Sequence, residues 1–180
     1  MSFPYRVAPL SKEHETAAFA SGDPGQDLYL QKAALSEVRR RRLACFVAIG
    51  AESGGIAGFY TLAPVGIPLD LLPTKTVGAL HRAPIIPVVR LGRFAIALDQ
   101  RGQGLRSALF ADAILRVLGS QLVVQALVAE ASDAKAADFY RDRGLIPFKE
   151  KPFTFFLARG SFIGLSEGHT GSCKELMTNK

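Results

Sequence analysis

The chain has 180 residues, of which 48% are hydrophobic and 21% are charged, which suits one folded domain and excludes a disordered chain. Its formal net charge of +6 favours an anionic partner, such as nucleic acid, an acidic protein or a phosphorylated cofactor. No run approaches the ~18 apolar residues of a membrane span and no secretory signal is visible, so we expect a cytoplasmic protein that contacts no membrane.

The first part of the chain predicts a helix and a β-hairpin. Apolar residues recur at helical spacing over residues 28–42, and Asp27 stands where it would cap the start of that helix. Two β-prone runs follow, over residues 44–49 and 56–62. A glycine pair at residues 54–55 separates them, which is typical of a hairpin turn.

The middle of the chain predicts an irregular segment, a strand and a helix. Residues 64–87 are rich in proline, which interrupts regular structure. Residues 88–98 predict a long strand, in which Gly92 indicates a bulge or a close approach of the backbone. Residues 107–118 carry apolar positions at helical spacing.

The last part predicts a strand, a helix and a strand. Residues 122–129 are so apolar that the strand should be buried on both faces. A shorter helix over residues 135–143 should end at Gly144, and residues 152–157 predict a final strand. This order predicts a partly parallel sheet covered by helices.

We expect one domain over residues 1–160 and a flexible tail, rich in Gly and Ser, over residues 161–180. A Rossmann dinucleotide domain is an alternative for a strand–loop–helix order. It fits poorly, because the glycine loop is not Gly-x-Gly-x-x-Gly and no acidic residue ends a later strand at the right distance.

The cysteines and histidines predict neither a metal site nor a thiol nucleophile. Cys45 and Cys173 lie far apart without metal-ligand spacing, which indicates a reducing compartment. Cys45 lies in an apolar strand and should belong to the core. The histidines at positions 14, 81 and 169 share no spacing, so we expect no metal.

The most informative segment is a strand, a glycine loop and a helix start over residues 91–110. The N-terminus of a helix carries unpaired N–H groups and a positive dipole, which suits phosphate oxygens. Gly102 and Gly104 allow the backbone to curl tightly there. A simple turn between strand and helix is the plainer interpretation of two glycines.

The loop Arg-Gly-Gln-Gly-Leu-Arg, which begins at Arg101, resembles the Gln/Arg-x-x-Gly-x-Gly/Ala loop of the GNAT acetyltransferases. It departs from that pattern at Arg106, where the family has Gly or Ala. The resemblance implies an α/β (α+β) GNAT fold: a mixed, mostly antiparallel sheet with a parallel central pair, flanked by helices. It also implies acetyl-CoA as the donor substrate. The pyrophosphate would lie on the amides of Arg101, Gly102, Gln103, Gly104, Leu105, Arg106 and Ser107, and the pantetheine arm on the strand residues Phe94, Ala95 and Ile96.

The segment Asp-Phe-Tyr-Arg-Asp-Arg-Gly-Leu, which begins at Asp138, resembles the family's later helix. Tyr140 matches its tyrosine and is the candidate acid for the departing thiolate, since a phenol is a neutral donor at pH 7. The simpler role for Tyr140 is packing against Phe139. Glu130, at the end of an apolar strand, is a weaker candidate for a base that acts through water.

A narrower resemblance, carried by residues 19–23, 58–62, 72–76 and 89–96, is to the GNAT toxins of bacterial toxin–antitoxin modules. That resemblance implies acetylation of the α-amine of aminoacyl-tRNA, which blocks translation. It further implies a ribbon-helix-helix antitoxin as partner and a homodimer.

Six arginines are candidate contacts for the substrate. Four are consecutive and are either a solvated helix end or a contact with phosphates, which guanidinium groups bind well. Two more flank Gly92, and we expect one of them to reach a phosphate of the cofactor or of tRNA. The six are Arg39, Arg40, Arg41, Arg42, Arg90 and Arg93.

Two other functions stay open. One is a GNAT enzyme that acetylates a small amine or a protein N-terminus, and the other is a regulator that binds acyl-CoA without turnover. Arg106 motivates the second, because a large side chain there should crowd the pyrophosphate loop. The opposite outcome is a guanidinium that turns outward and adds a bond to a phosphate.

Overall fold

The computed structural model describes residues 4–73, 83–121 and 123–162. Within these ranges the strands are β1 (Tyr5–Pro9), β2 (Ala44–Gly50), β3 (Ile56–Pro68), β4 (Ile85–Ile96), β5 (Ala126–Glu130), β6 (Ile146–Pro147) and β7 (Thr154–Ala158). The helices are α1 (Pro24–Leu28), α2 (Ala34–Arg39), α3 (Leu105–Gly119) and α4 (Ala134–Arg141), with a π-helical turn, Tyr29–Ala33, between α1 and α2.

The strands form one seven-stranded sheet in the order β1-β2-β3-β4-β5-β7-β6. Strands β4 and β5 pair in parallel, with Val88 opposite Ala126 and Leu91 opposite Ala129. The β1–β2, β2–β3, β5–β7 and β6–β7 pairs are antiparallel. The predicted fold class, a mostly antiparallel sheet with a parallel pair at its centre, is confirmed.

The described residues cluster into two compact units, which divide β3, β4 and α3 between them. The first unit contains residues 4–63 and 93–113, and its apolar core combines the helical segment with β2 and β3 around Leu30, Val47 and Phe59. The core of the second unit gathers Ile86, Val128 and Phe156. The predicted domain boundary at residue 160 stays a prediction, and residues 163–180 of the predicted tail lie outside the described residues.

The first helix begins earlier than predicted, and Asp27 as its cap is wrong. Helix α1 starts at Pro24, and the carboxylate of Asp23 accepts from the N–H groups of Gly25 and Gln26. Proline in the first turn costs no hydrogen bond, so the capping signal lay ahead of the apolar stripe. Asp27 instead accepts from the N–H and the hydroxyl of Ser21, at 2.8 and 2.6 Å.

The predicted irregular segment over residues 64–87 is wrong at both ends. Strand β3 runs on to Pro68 and β4 already begins at Ile85. Proline lacks a backbone N–H but keeps its carbonyl as an acceptor, so it is tolerated where only an acceptor is needed. The carbonyls of Pro84 and Pro87 accept from the N–H groups of Leu69 and Gln125, at 3.0 and 2.9 Å. Residues 74–82 lie outside the described residues.

The later elements are close to the predicted ones. Strand β5 is shorter, since it begins at Ala126, but its residues up to Ala129 are buried as predicted. Helix α4 ends near Gly144, whose φ of +77° is the left-handed conformation that terminates helices. No helix in the described ranges is both long and apolar enough to cross a bilayer.

Candidate active site

The glycine loop has the backbone conformation that the sequence predicts. Gly102 and Gly104 have φ values of +79° and +77°, which side-chain-bearing residues adopt at a cost of about 1–2 kcal/mol. A Cβ added at either position would meet no atom of the described chain within 4 Å. The glycines are therefore required by their backbone angles and not by crowding from the protein itself.

The loop leads directly into helix α3. The N–H of Ala108 donates to the carbonyl of Gly104 at 3.1 Å, which is the bond that opens the helix. The first turn of a helix directs its backbone N–H groups along the axis and towards the loop that precedes it. Donors in this position, together with the positive end of the helix dipole, favour a phosphate group.

Side chains tie the loop to the N-terminal part of the first unit. The guanidinium of Arg101 donates through Nη2 to the carbonyl of Ser21. The hydroxyl of Tyr5 donates to Gln100 Oε1 at 2.6 Å and lies 3.0 Å from Gln103 Oε1. The side chain of Arg101 thus holds the loop, and its backbone N–H donates to the carbonyl of Leu98 at 3.4 Å, so the predicted use of this amide for pyrophosphate is not favoured.

The strand residues predicted to hold pantetheine, Phe94, Ala95 and Ile96, are each less than 9% exposed. Ala95 and Ile96 pack against a glycine whose role the sequence did not reveal. A Cβ on Gly58 would lie 2.9 Å from Ile96 Cδ1, 3.0 Å from the carbonyl oxygen of Ala95 and 3.0 Å from Leu109 Cδ1. Gly58 therefore allows β3, β4 and α3 to approach closely beneath the loop.

Arg106, which departs from the family's loop, is half-buried in the first turn of α3. Its guanidinium carbon lies 5.4 Å from the centroid of the Phe94 ring. At this distance cation and ring attract one another by about 0.5–1 kcal/mol. The side chain therefore lies against the strand predicted to hold pantetheine.

Tyr140, the candidate acid, lies near the end of α4 in the second unit. It is 3% exposed and packs against Phe139 and Phe155, with ring centroids 5.4 and 5.8 Å apart. The aromatic packing that is its simpler role is present. Glu130, the weaker candidate base, is exposed at the end of β5.

The four consecutive arginines 39–42, hereafter the arginine run, close the end of helix α2. The N–H of Arg42 donates to Glu37 and that of Arg41 to Val38, both at 3.0 Å, which is the Schellman pattern. Arg41 has φ +56°, where glycine is the usual residue. All four side chains are exposed, so the predicted helix end is confirmed and the run is open to solvent.

The other two candidate arginines lie on β4 and are exposed. The Arg93 guanidinium carbon lies 4.7 Å from the centroid of the Tyr29 ring. The Tyr29 hydroxyl in turn donates to Glu37 Oε2 at 2.7 Å. Burial, followed by the hydrogen bond to Glu37, raises the pKa of Tyr29, so its phenol stays protonated as a donor. Arg90 lies in the second unit and the structure gives it no place in this group.

A buried thiol and a buried Tyr–Asp pair complete the first unit. Cys45 is 2% exposed, and burial raises the pKa of its thiol to about 12, so its prediction as a core residue is confirmed. The Tyr60 hydroxyl donates to Asp112 Oδ2, with both residues buried, which joins β3 to α3. The Tyr60–Asp112 pair was not predicted, because its members are 52 residues apart in sequence.

The chain is similar to a known toxin and to several solved structures. No protein-family model matches the chain. A tRNA-acetylating toxin of Mycobacterium tuberculosis is 30% identical over 133 residues, which cover 73% of this chain and 78% of the relative.

Among solved structures, the chain is similar to the toxin AtaT in three states. AtaT complexed with acetyl-methionyl-tRNAfMet is 26% identical with a TM-score of 0.82, over 89% of this chain and 98% of that one. AtaTR bound with acetyl-CoA is 25% identical with a TM-score of 0.77, over 90% and 98%. A tyrosine-to-phenylalanine variant of AtaT bound to the C-terminus of the antitoxin AtaR is 25% identical with a TM-score of 0.75, over 91% and 98%.

Proposed function

Because the chain belongs to the tRNA-acetylating toxins of the GNAT type, we propose that it transfers the acetyl group of acetyl-CoA to the α-amine of aminoacyl-tRNA and so blocks translation. The observation that carries the proposal is the glycine loop at the start of α3, together with the 30% identical toxin. The chain is accordingly an acetyl-CoA-dependent N-acetyltransferase.

The donor acetyl-CoA would be held mainly by backbone groups. The backbone N–H groups of residues 102–107 would donate to its pyrophosphate, because they lie just before and at the start of helix α3. Residues 94–96 of β4 would bind the pantetheine arm by backbone hydrogen bonds, as the family resemblance implies. A backbone N–H on this strand would also stabilise the oxyanion of the tetrahedral intermediate.

The reaction forms one C–N bond and breaks one C–S bond. The deprotonated α-amine attacks the thioester carbonyl, and the intermediate collapses to the acetylated amine and the CoA thiolate. Tyr140 would give its proton to this thiolate. The attacking nitrogen loses one proton to solvent as the amide forms. The Tyr140 phenolate takes one proton from solvent, which restores the phenol.

The acceptor is drawn by positive charge. A net charge of +6 and four exposed arginines at the end of α2 suit the phosphates of tRNA. Arg90, exposed on β4, is a further candidate. The acetyl-methionyl-tRNA complex of AtaT supports this acceptor class.

An antitoxin should restrain this activity. The complex of AtaT with the C-terminus of AtaR supports an antitoxin as partner. We propose that this antitoxin is a ribbon-helix-helix protein, that the chain forms a homodimer and that it acts in the cytoplasm. The family resemblance supports the first two, and the two isolated cysteines, which indicate a reducing compartment, support the third.

The experiment is acetyl transfer with labelled acetyl-CoA and a panel of charged tRNAs. The expected product is N-acetyl-aminoacyl-tRNA, identified by mass spectrometry of the released aminoacyl-adenosine. Induction of the chain should stop growth, and co-expression of its antitoxin should restore it. Transfer to a polyamine or a peptide N-terminus and never to charged tRNA would favour the alternative enzyme. Binding of acetyl-CoA without release of free thiol with any acceptor would favour the regulator.

A further inference from the structure

A chain of three side chains joins strand β4 to helix α2, and we call it the Arg93–Tyr29–Glu37 cluster. The guanidinium of Arg93 lies over the ring of Tyr29 and the hydroxyl of Tyr29 donates to Glu37. All three residues belong to the first unit. The cluster therefore connects the strand proposed to hold pantetheine with the helix that ends in the arginine run.

The π-helical turn Tyr29–Ala33 brings Tyr29 and Glu37 onto one face of the helix. Residues eight apart in a regular α-helix differ by about 80° around its axis. A π turn inserts one residue, so the pair behaves as if seven apart and is offset by only about 20°. The N–H of Ala34 accordingly donates to the carbonyl of Tyr29, five residues back.

Both ends of the cluster are anchored. The backbone N–H of Arg93 donates to the hydroxyl of Thr61 at 2.9 Å, and Thr61 is 3% exposed, so this part of β4 is fixed to β3. The ring of Tyr29 stacks with Phe59 at 6.3 Å between centroids. Glu37 accepts from Tyr29 through its side chain and from Arg42 through its carbonyl, so it also closes the turn of the arginine run.

We propose that Arg93 is a positioning residue for the tRNA substrate. By holding Tyr29, and through it Glu37, Arg93 fixes the end of α2 so that the arginine run presents its guanidinium groups to tRNA phosphates. This inference rests on the proposed function. It replaces the expectation that Arg93 itself contacts a phosphate, because its guanidinium is committed to the Tyr29 ring.

The test compares KM for charged tRNA with KM for acetyl-CoA and with kcat. Arg93→Ala raises KM for tRNA about two- to five-fold, the scale of one exposed cation–π contact, and leaves kcat and KM for acetyl-CoA unchanged. Tyr29→Phe keeps the ring but loses the bond to Glu37, and it raises KM for tRNA in the same way. Arg93→Lys restores part of the loss. Arg6→Ala, an exposed arginine on β1, serves as the matched control and changes none of the three constants.

A double-variant cycle separates positioning from direct contact. In a chain with all four arginines of the run replaced by glutamine, Arg93→Ala adds no further rise in KM for tRNA, since nothing is left to position. A direct phosphate contact would give additive effects, a salt dependence of tRNA binding that falls by about one counterion with Arg93→Ala, and no effect of Tyr29→Phe. That set of results overturns the inference.

Folding and the proposed function are checked separately. Each variant must keep its circular dichroism spectrum and its acetyl-CoA affinity. If Arg93→Ala loses either, it is replaced by Arg93→Gln, whose shorter side chain is polar but carries no charge. If the unaltered chain acetylates no charged tRNA, the proposed function fails. If it does acetylate tRNA and both Arg93→Ala and Arg93→Gln match it in every constant, only the role of Arg93 is refuted.

Discussion

The donor loop and the arginine run are built in opposite ways. The loop, residues 101–107, depends on backbone: two glycines with positive φ and the opening turn of a helix. The arginine run depends on side chains, all of them exposed, on a turn whose left-handed position is occupied by Arg41. A binding site made of backbone is specified by a short local motif, whereas one made of side chains also depends on what holds its helix in place.

The two regions also differ in backbone strain, because glycine occupies the left-handed positions of the loop and arginine occupies that of the run. At the loop, glycine fills each left-handed position and the backbone pays no side-chain penalty there. At the run, a charged residue fills that position at a cost of about 1 kcal/mol or more. Strain of this kind persists where function favours the residue. The comparison therefore predicts that the two regions respond differently to substitution.

The largest effect should come from a residue outside both regions. Tyr140→Phe should lower kcat about a hundredfold, the scale of losing one general acid. The affinities for acetyl-CoA and for tRNA should hold, since the ring stays in its packing with Phe155. Stopped-flow kinetics would measure kcat, and calorimetry would measure the two affinities. An unchanged kcat would show that Tyr140 serves only in packing and that water protonates the thiolate.

Adding one methyl group to the donor loop should weaken its binding of acetyl-CoA. Gly104→Ala places a Cβ on a residue with φ +77° and should weaken acetyl-CoA binding about tenfold, from the 1–2 kcal/mol of left-handed strain. Gly119→Ala, at the end of the same helix and without a positive φ, is the control and should leave the affinity intact. Equal affinities for both variants, by calorimetry, would mean that the loop backbone does not hold the donor.

The side chain of Arg106 lies against Phe94, beside the donor loop, and its effect on the loop can be tested. Arg106→Ala should tighten acetyl-CoA binding about two- to five-fold, because the ligand no longer has to displace the guanidinium from Phe94. Arg6→Ala again provides a matched loss of one charge. Weaker binding by Arg106→Ala alone would show that the guanidinium contacts a phosphate of the donor.

Effects no larger than that of Arg106→Ala should appear in the arginine run, where backbone strain and charge can be separated. Arg41→Gly and Arg41→Ala both remove one charge and should weaken tRNA binding two- to five-fold at moderate salt, as for one lost phosphate contact. Only Arg41→Gly should also raise Tm, by about 2–4 °C, because it relieves roughly 1 kcal/mol of backbone strain. Calorimetric melting and filter binding measure the two effects. A higher Tm without any loss of tRNA binding would show that Arg41 only terminates the helix and does not contact tRNA.

The errors of the sequence-based prediction have local physical causes. Asp27 was preferred as the cap because the apolar stripe begins after it, but proline in the first turn lets the helix start one turn earlier, at Pro24. The π-helical turn leaves no signal in a hydrophobic pattern read at 3.6 residues per turn. The proline-rich segment was predicted as irregular, although the carbonyls of Pro84 and Pro87 accept bonds from Leu69 and Gln125 beside the strands.

By itself, the sequence determined the parts of this protein that rest on local chemistry. The partly parallel sheet and the glycine loop before α3 follow from hydrophobic period and turn residues, which act over a few residues, whereas the family resemblance implied the central place of the parallel pair. Strands β1 and β6 were not predicted. Only the tertiary structure decided which distant side chains meet. Gly58 beneath the loop, the Tyr60–Asp112 pair and the Arg93–Tyr29–Glu37 cluster join residues many turns or strands apart. Such contacts are fixed by how helices and strands pack, and no local pattern encodes them.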